Sequence, residues 1–108
     1  MEVKEIKRFK FFGNTYTIKY VDVCPLVEGQ EDGAFNRGMI EPSTSTIYIA
    51  TKDGAGKSYS KDRMDQTLRH ELMHMVFLEG QYIHEYDDEP IVEWCAKAIG
   101  ELLNKHVI

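Results

Sequence analysis

The sequence has few of the residues that mark secreted or membrane-spanning proteins. It contains two cysteines, three prolines and one tryptophan in 108 residues. Cys24 and Cys95 lie far apart and form no Cys-x-x-Cys or zinc-knuckle spacing, so they predict two free thiols in a reducing cytosol. No apolar run is long enough to span a bilayer, and residues 1–8 lack the apolar segment of a signal peptide. We therefore expect a soluble, cytoplasmic protein.

Positive charge is also scarce. The chain has 13 lysines and arginines against 18 aspartates and glutamates, which gives a formal net charge of −5. This balance argues against general affinity for nucleic acids or anionic membranes, because both require a basic surface. The local exception is Lys4, Lys7, Arg8 and Lys10, which alternate with apolar residues. The alternation predicts the solvated side of a strand, and contact with nucleic acid is the alternative.

The length and apolar content indicate a single globular domain that spans residues 1–108. Hydrophobic residues make up 43% of the chain and aromatic residues 11%, as in ordinary folded proteins. A chain of this length can bury one modest core and is too short for two.

The first half of the chain has the pattern of a small β-sheet. Four stretches are rich in β-branched and aromatic residues, namely residues 5–12, 15–23, 36–41 and 44–51. The first two flank Gly13-Asn14 and predict a hairpin, and the last two predict a second pair whose turn contains Pro42. Residues 24–37 contain proline, glycine and acidic residues and predict a loop.

The second half predicts two helices. Ser60 is a suitable N-cap for the first helix and Gly80 a suitable stop. After a polar loop at residues 81–88, Asp88 or Glu89 begins the second helix, with Pro90 in its first turn. Apolar residues recur along this second helix as one stripe, which predicts its buried face: Ile91, Trp94, Cys95, Ala98, Ile99 and Leu102.

The first helix carries a His-Glu-x-x-His pattern at His70, Glu71 and His74. On a helix the two histidines lie one turn apart on the same side, so both rings can reach one Zn²⁺ at about 2.0–2.1 Å. Glu71, about 100° further round the helix, lies beside such an ion and can accept a proton from an attacking water. The opposite side of the helix is apolar and predicts a core contact through Met64, Leu68, Leu72 and Met75.

Buried imidazole rings need partners, and a metal ion provides one. The alternative is a pair of structural histidines satisfied by hydrogen bonds. A catalytic zinc ion requires a third protein ligand. A metzincin-type His-x-x-Gly-x-x-His continuation is excluded, because Phe77 and Gly80 occupy its glycine and histidine positions. The remaining downstream candidates are His84, Asp87, Asp88, Glu89 and Glu93.

Residues 89–96 read Glu89-Pro-Ile-Val-Glu93-Trp-Cys-Ala96. This segment resembles the Glu-x-x-x-(Asn/Asp/Glu)-x-x-Ala segment of the small, often phage-borne ImmA/IrrE-like metallopeptidases, which belong to the gluzincin class. The resemblance covers mainly residues 67–96. It implies a minimal zincin-like α+β fold, in which a small, mostly antiparallel sheet packs on the motif helix and a C-terminal helix closes the site. It also implies that a strand at residues 44–51 pairs with an extended peptide, and an ordinary inner strand is the alternative.

The same resemblance implies roles for individual residues. Glu89 is the third metal ligand beside His70 and His74, and Glu93 accepts a hydrogen bond from the free ring nitrogen of a ligand histidine. The function that follows is a zinc-dependent metallopeptidase that hydrolyses a specific protein or peptide substrate. Zn²⁺ polarises the scissile carbonyl, while Glu71 acts as general base and later as general acid.

The loop between the helices offers candidate donors to the substrate or to the developing oxyanion: Tyr82, His84 and Tyr86. Packing of the loop is the alternative role for each of them. Two other functions remain open. One is a metal-stabilised binding module, such as a phage regulator that engages a partner without cutting it. The other is a DNA-linked protease similar to the SprT class, which the acidic charge disfavours.

Overall fold

The computed structural model of the chain describes residues 2–25 and 36–106 and has the expected α+β fold. The strands are β1 (Val3–Phe11), β2 (Asn14–Val21), β3 (Gly38–Glu41) and β4 (Thr46–Ala50). The helices are α1 (Lys61–Glu79), α2 (Ile83–Tyr86) and α3 (Glu89–Asn104), and a 3₁₀ turn at Pro42–Thr44 joins β3 to β4. The predicted loop at residues 24–37 lies mostly outside the described residues.

The four strands form one sheet in the order β1-β2-β4-β3. Both predicted antiparallel pairs are confirmed, and they are joined by a parallel pairing of β2 with β4. Because β4 has a strand on each side, the implied pairing of residues 44–51 with a peptide is wrong, and the alternative of an inner strand is confirmed. In the described part of the chain the sheet ends at β1 on one side and at β3 on the other.

The turn between β1 and β2 lies one residue earlier than Gly13-Asn14. Phe12 and Gly13 form it with φ of 49° and 81°. A two-residue hairpin turn of this kind needs positive φ at both positions, which glycine adopts freely and phenylalanine only at some cost. Asn14 instead begins β2, and its side-chain nitrogen donates to the Glu79 carboxylate at 2.8 Å. The Tyr16 hydroxyl donates to the same carboxylate, so Glu79 ties the hairpin to the end of α1.

The main core lies between one face of the sheet and α1, as the apolar side of that helix predicts. Its fully buried members on β4 are Ile47 and Ile49. The helix contributes the four residues expected from the pattern: Met64, Leu68, Leu72 and Met75. This contact leaves the opposite side of α1, with its two histidines, turned toward α3.

The helix boundaries follow the predicted caps. The Ser60 hydroxyl accepts a hydrogen bond from the Arg63 amide at 3.1 Å, and Gly80 is the C-cap of α1. Asp88 caps α3 by accepting from the Ile91 amide at 3.2 Å, with Pro90 in the first turn. The segment predicted as a loop between the two helices contains the one-turn helix α2.

The predicted buried face of α3 is wrong. The buried residues are Val92, Ala96 and Gly100, whereas the predicted stripe is largely exposed, with Trp94 at 69%. Val92, Ala96 and Gly100 share one side of the helix with Glu89 and Glu93, which face the histidines of α1. The contacts of these two carboxylates determine which side of α3 faces α1. On that side the small residues Ala96 and Gly100 allow α3 to lie close to α1.

Both cysteines are free, and Cys24 is buried beneath the sheet residues Val21, Met39 and Tyr48. Burial raises the pKa of the Cys24 thiol to about 12. Across residues 2–25 and 36–106, every helix is too short or too polar to cross a lipid bilayer.

Candidate metal centre

The two histidines of α1 meet one carboxylate at the start of α3. The ring centroids of His70 and His74 are 5.0 Å apart, as expected one turn apart on a helix. Glu89 Oε2 lies 2.8 Å from His70 Nε2, and Glu89 Oε1 lies 3.0 Å from His74 Nε2. The structure thus brings together the three residues expected to hold the metal.

The remaining ring nitrogens are held by groups that accept hydrogen bonds. His70 Nδ1 donates to Glu93 Oε2 at 2.7 Å, and His74 Nδ1 donates to the backbone carbonyl of Tyr86 at 2.7 Å. A carbonyl or an ionised carboxylate accepts but cannot donate, so a proton on Nδ1 of each ring satisfies both contacts and leaves Nε2 able to bind a cation. In the neutral rings the lone pair on Nε2 therefore points toward Glu89.

This arrangement fits a metal ion. Two imidazole lone pairs and two carboxylate oxygens are all acceptors, and at 2.8–3.0 Å they repel unless a cation or additional protons lie between them. Two nitrogens and a carboxylate oxygen are a common donor set for catalytic zinc, whose tetrahedral ligand atoms lie roughly 3.3 Å apart. His70, His74 and Glu89 could therefore hold Zn²⁺ with small adjustments.

Glu71 lies beside this group in a buried position, with 7% of its surface exposed. Its carboxylate and the ring nitrogens of His70 and His74 lie within 4.8 Å of one another. Burial raises the pKa of Glu71 to about 7, while His70 acts to lower it and Glu89 to raise it further. A cation bound nearby would favour the ionised form. Glu89 rather than Glu71 is the candidate third ligand, because Glu89 contacts both Nε2 atoms directly.

A cleft of about 1240 Å³ opens over these residues. It is bounded by β3 on one side, by α1, and by the start of α3. Glu71 and the three candidate ligands all line it, so the group faces a space large enough for several residues of a peptide. A catalytic metal centre needs such an open side, whereas a structural zinc site is usually closed by four protein ligands.

Of the three predicted oxyanion or substrate contacts, only Tyr86 lines this cleft. Burial raises the pKa of its hydroxyl, and Asp87, Glu71 and Glu89 raise it further. Tyr82 is exposed and lines a separate apolar groove beside Phe12. His84 is exposed on α2 and does not line the cleft.

Two groups that shape the site could not be identified from the sequence. The backbone carbonyl that holds His74 belongs to Tyr86, and any residue type offers the same carbonyl. The second is Gly38, where β3 passes directly over α1. A Cβ atom at position 38 would lie 2.6 Å from Thr67 Cγ2 and 3.1 Å from Glu71 Cγ. A glycine at the start of a strand signals close approach of other atoms only in general terms.

We expect Gly38→Ala to destabilise the protein by about 1–3 kcal/mol, the usual cost of overpacking, and to displace Glu71. The added methyl group clashes with the Thr67 methyl group before it meets Glu71. Thermal unfolding of the purified variant measures the effect.

Gly54→Ala is the matched control, because Gly54 also lines the cleft and a Cβ there meets no atom within 4 Å. Adding Thr67→Ser should partly restore stability to Gly38→Ala. Serine removes the clashing methyl group and keeps a hydroxyl that can donate to the Arg63 carbonyl, as Thr67 does at 3.1 Å. Equal stability of Gly38→Ala and the unmodified protein would show that β3 is not closely packed against α1.

Comparison with known proteins gives this chain no relative: no protein-family model matches it, and neither does a curated protein or a solved structure.

Proposed function

We propose that this chain is a zinc-dependent metallopeptidase that hydrolyses a protein or peptide substrate. The observation that carries the proposal is the convergence of His70 Nε2 and His74 Nε2 on one Glu89 carboxylate at the floor of an open cleft. A buried carboxylate, Glu71, lies beside that point. A purely structural zinc site requires neither the cleft nor this carboxylate. The resemblance to gluzincins noted in the sequence points the same way.

The residues of the chain have distinct roles in this proposal. A bound Zn²⁺ would polarise the scissile carbonyl and lower the pKa of the attacking water. Glu71 accepts the proton of that water and returns it to the leaving amine. Glu93 and the Tyr86 carbonyl hold the two rings so that both Nε2 atoms keep facing the cleft. The Tyr86 hydroxyl supplies a hydrogen-bond donor for the carbonyl oxygen of the substrate.

The edge of β3 supplies a surface for an extended substrate. The Ala50 amide donates to the Arg37 carbonyl at 2.8 Å, and the register pairs Gly38 with Ile49 and Ile40 with Ile47. In an antiparallel ladder the bonding direction alternates, so Gly38 and Ile40 direct their backbone groups away from β4. Among the described residues no strand pairs with that side. A peptide could add there as a further strand, directly above Glu71.

We also propose a reducing compartment such as the cytosol, which the two free thiols favour.

Removal of the metal tests the proposal. We expect purified protein to contain about one zinc ion per chain, and dialysis against a chelator to abolish cleavage of a denatured protein substrate. Added Zn²⁺ should restore cleavage and Mg²⁺ should not, because nitrogen ligands suit zinc. Absence of zinc binding by the purified protein would contradict both the metal centre and the peptidase function. A metal-stabilised binding module would bind zinc without any cleavage, which would contradict the peptidase function alone.

A further inference from the structure

The cleft over the metal centre has two ends of different charge. One end runs from Glu71 along the first turns of α1 and is lined by Arg37, Arg63 and Gln66, among others. We refer to this end, defined by Arg37 and Arg63, as the basic arm. The other lysine or arginine of the cleft lining among the described residues is Lys97, which is paired with Glu93 at 3.7 Å. At the other end, beyond His74, the cleft is lined by Tyr86 and Asp87. A bound peptide therefore meets positive charge on one side of the metal centre and negative charge on the other.

The two arginines of the basic arm are available to a ligand. Both are exposed, and within residues 2–25 and 36–106 neither guanidinium takes part in an ion pair or a hydrogen bond. The nearby acidic side chain of Asp65 is held by Lys61 at 2.8 Å and does not line the cleft. Among the described residues, the carboxylates that line the cleft are Glu71, Glu89 and Glu93 at the metal centre and Asp87 beyond it.

The position of the basic arm sets its distance from the scissile bond. Arg63 precedes Glu71 by eight residues on α1, which corresponds to about 12 Å along the helix axis. Arg37 lines the same cleft and directly precedes β3 at the edge of the sheet. An extended peptide advances about 3.3 Å per residue, so the basic arm lies about two to four residues from the bond that is cleaved.

We propose that Arg37 and Arg63 select a substrate with a carboxylate about two to four residues from the scissile bond. The carboxylate is that of an aspartate or glutamate side chain, or of a free C-terminus. This inference rests on the proposed peptidase function, because it assumes a peptide in the cleft. Arginine suits the task since its planar group can bind a carboxylate through two parallel hydrogen bonds. Asp87 repels a carboxylate at the opposite end, so the same charges fix the direction in which the peptide binds.

The test measures peptide binding separately from cleavage. Zinc-loaded Glu71→Gln protein is titrated with fluorescently labelled peptides of one length, and binding is followed by anisotropy. The peptides carry glutamate, glutamine or lysine at the third position on either side of the central bond, with a free or an amidated C-terminus. We expect the peptide with glutamate on one of the two sides to bind about tenfold more tightly than the matching glutamine peptide. This preference should weaken as the salt concentration is raised. If amidation of the C-terminus is by itself enough to weaken binding, the carboxylate that the basic arm recognises is the C-terminal one.

Arginine variants decide whether the basic arm is responsible. Arg37→Gln combined with Arg63→Gln should remove the preference, and Arg37→Glu combined with Arg63→Glu should reverse it toward lysine. Arg8→Gln is the matched control, because Arg8 is an exposed arginine on β1 and does not line the cleft. The inference is overturned if glutamate and glutamine peptides bind equally, if none binds, or if the double variants keep the preference. An arginine-dependent preference in a protein that cleaves nothing would support carboxylate binding by the basic arm and contradict the peptidase function.

Discussion

Replacing Glu71 by glutamine is expected to slow peptide hydrolysis about 10²–10⁴-fold while the protein keeps its zinc. The amide is nearly isosteric with the carboxylate, so the buried position beside His70 and His74 stays filled. It cannot accept the proton of the attacking water, and the loss should therefore appear in kcat more than in KM. Single-turnover cleavage and zinc content, measured on the same preparation, give both quantities.

Glu101→Gln is the control for this variant, because it removes the same charge from an exposed position on α3. Unchanged turnover in Glu71→Gln would exclude Glu71 as the base. Loss of zinc together with activity would show that Glu71 is itself a ligand, which its distance of less than 4.8 Å from the ring nitrogens would allow.

The second large effect separates the two glutamates of α3. Glu89→Ala should abolish zinc retention, because Glu89 is the carboxylate that contacts both Nε2 atoms, at 2.8 and 3.0 Å. Glu93→Ala should weaken zinc binding only about 10–100-fold, since Glu93 contacts the other nitrogen of His70 and acts by orienting that ring. Competition with a chromogenic chelator measures both affinities.

Glutamine variants sharpen this comparison. Glu93→Gln keeps an oxygen that accepts from His70 Nδ1 and should restore part of the affinity lost in Glu93→Ala. Glu89→Gln should remain severely impaired, because a neutral amide oxygen is a poor substitute for an anionic ligand. If the two positions show the opposite order of effects, Glu93 is the ligand and Glu89 the orienting group.

The motif helix was largely predictable from local sequence. The His-Glu-x-x-His spacing, the apolar side of α1 and the capping residues Ser60 and Gly80 all act within a few turns of one helix. Such features depend on helical geometry alone, so the pattern of residues contains them. The approach of Glu89 to both rings followed from the resemblance of one short segment rather than from spacing.

The orientation of α3 could not be obtained in the same way. Hydrophobicity alone predicted that Trp94 and its apolar neighbours would be buried, yet α3 packs through Val92, Ala96 and Gly100. The choice is made by contacts of Glu89 and Glu93 with a different helix, about 20 residues earlier in the chain. A pattern within one helix cannot show which of its sides another helix will hold.

The parallel pairing of β2 with β4 is a second long-range feature. Local alternation identified all four strands and both hairpin-type pairs, but it does not specify how two pairs join. That joining places β4 inside the sheet and β3 at the edge of the cleft. The close passage of Gly38 over Glu71 follows from the same arrangement.

The exposed side of α3 gives the protein a built-in optical reporter. Trp94 is the only tryptophan in the chain, it is 69% exposed, and it adjoins Glu93. The intrinsic fluorescence therefore comes from one place, and in the isolated protein dissolved iodide should quench it readily. Any molecule that covers this side of α3 will shift the emission to shorter wavelength and shield it from iodide. Binding to the apolar stripe can thus be followed without attaching a dye or altering a residue.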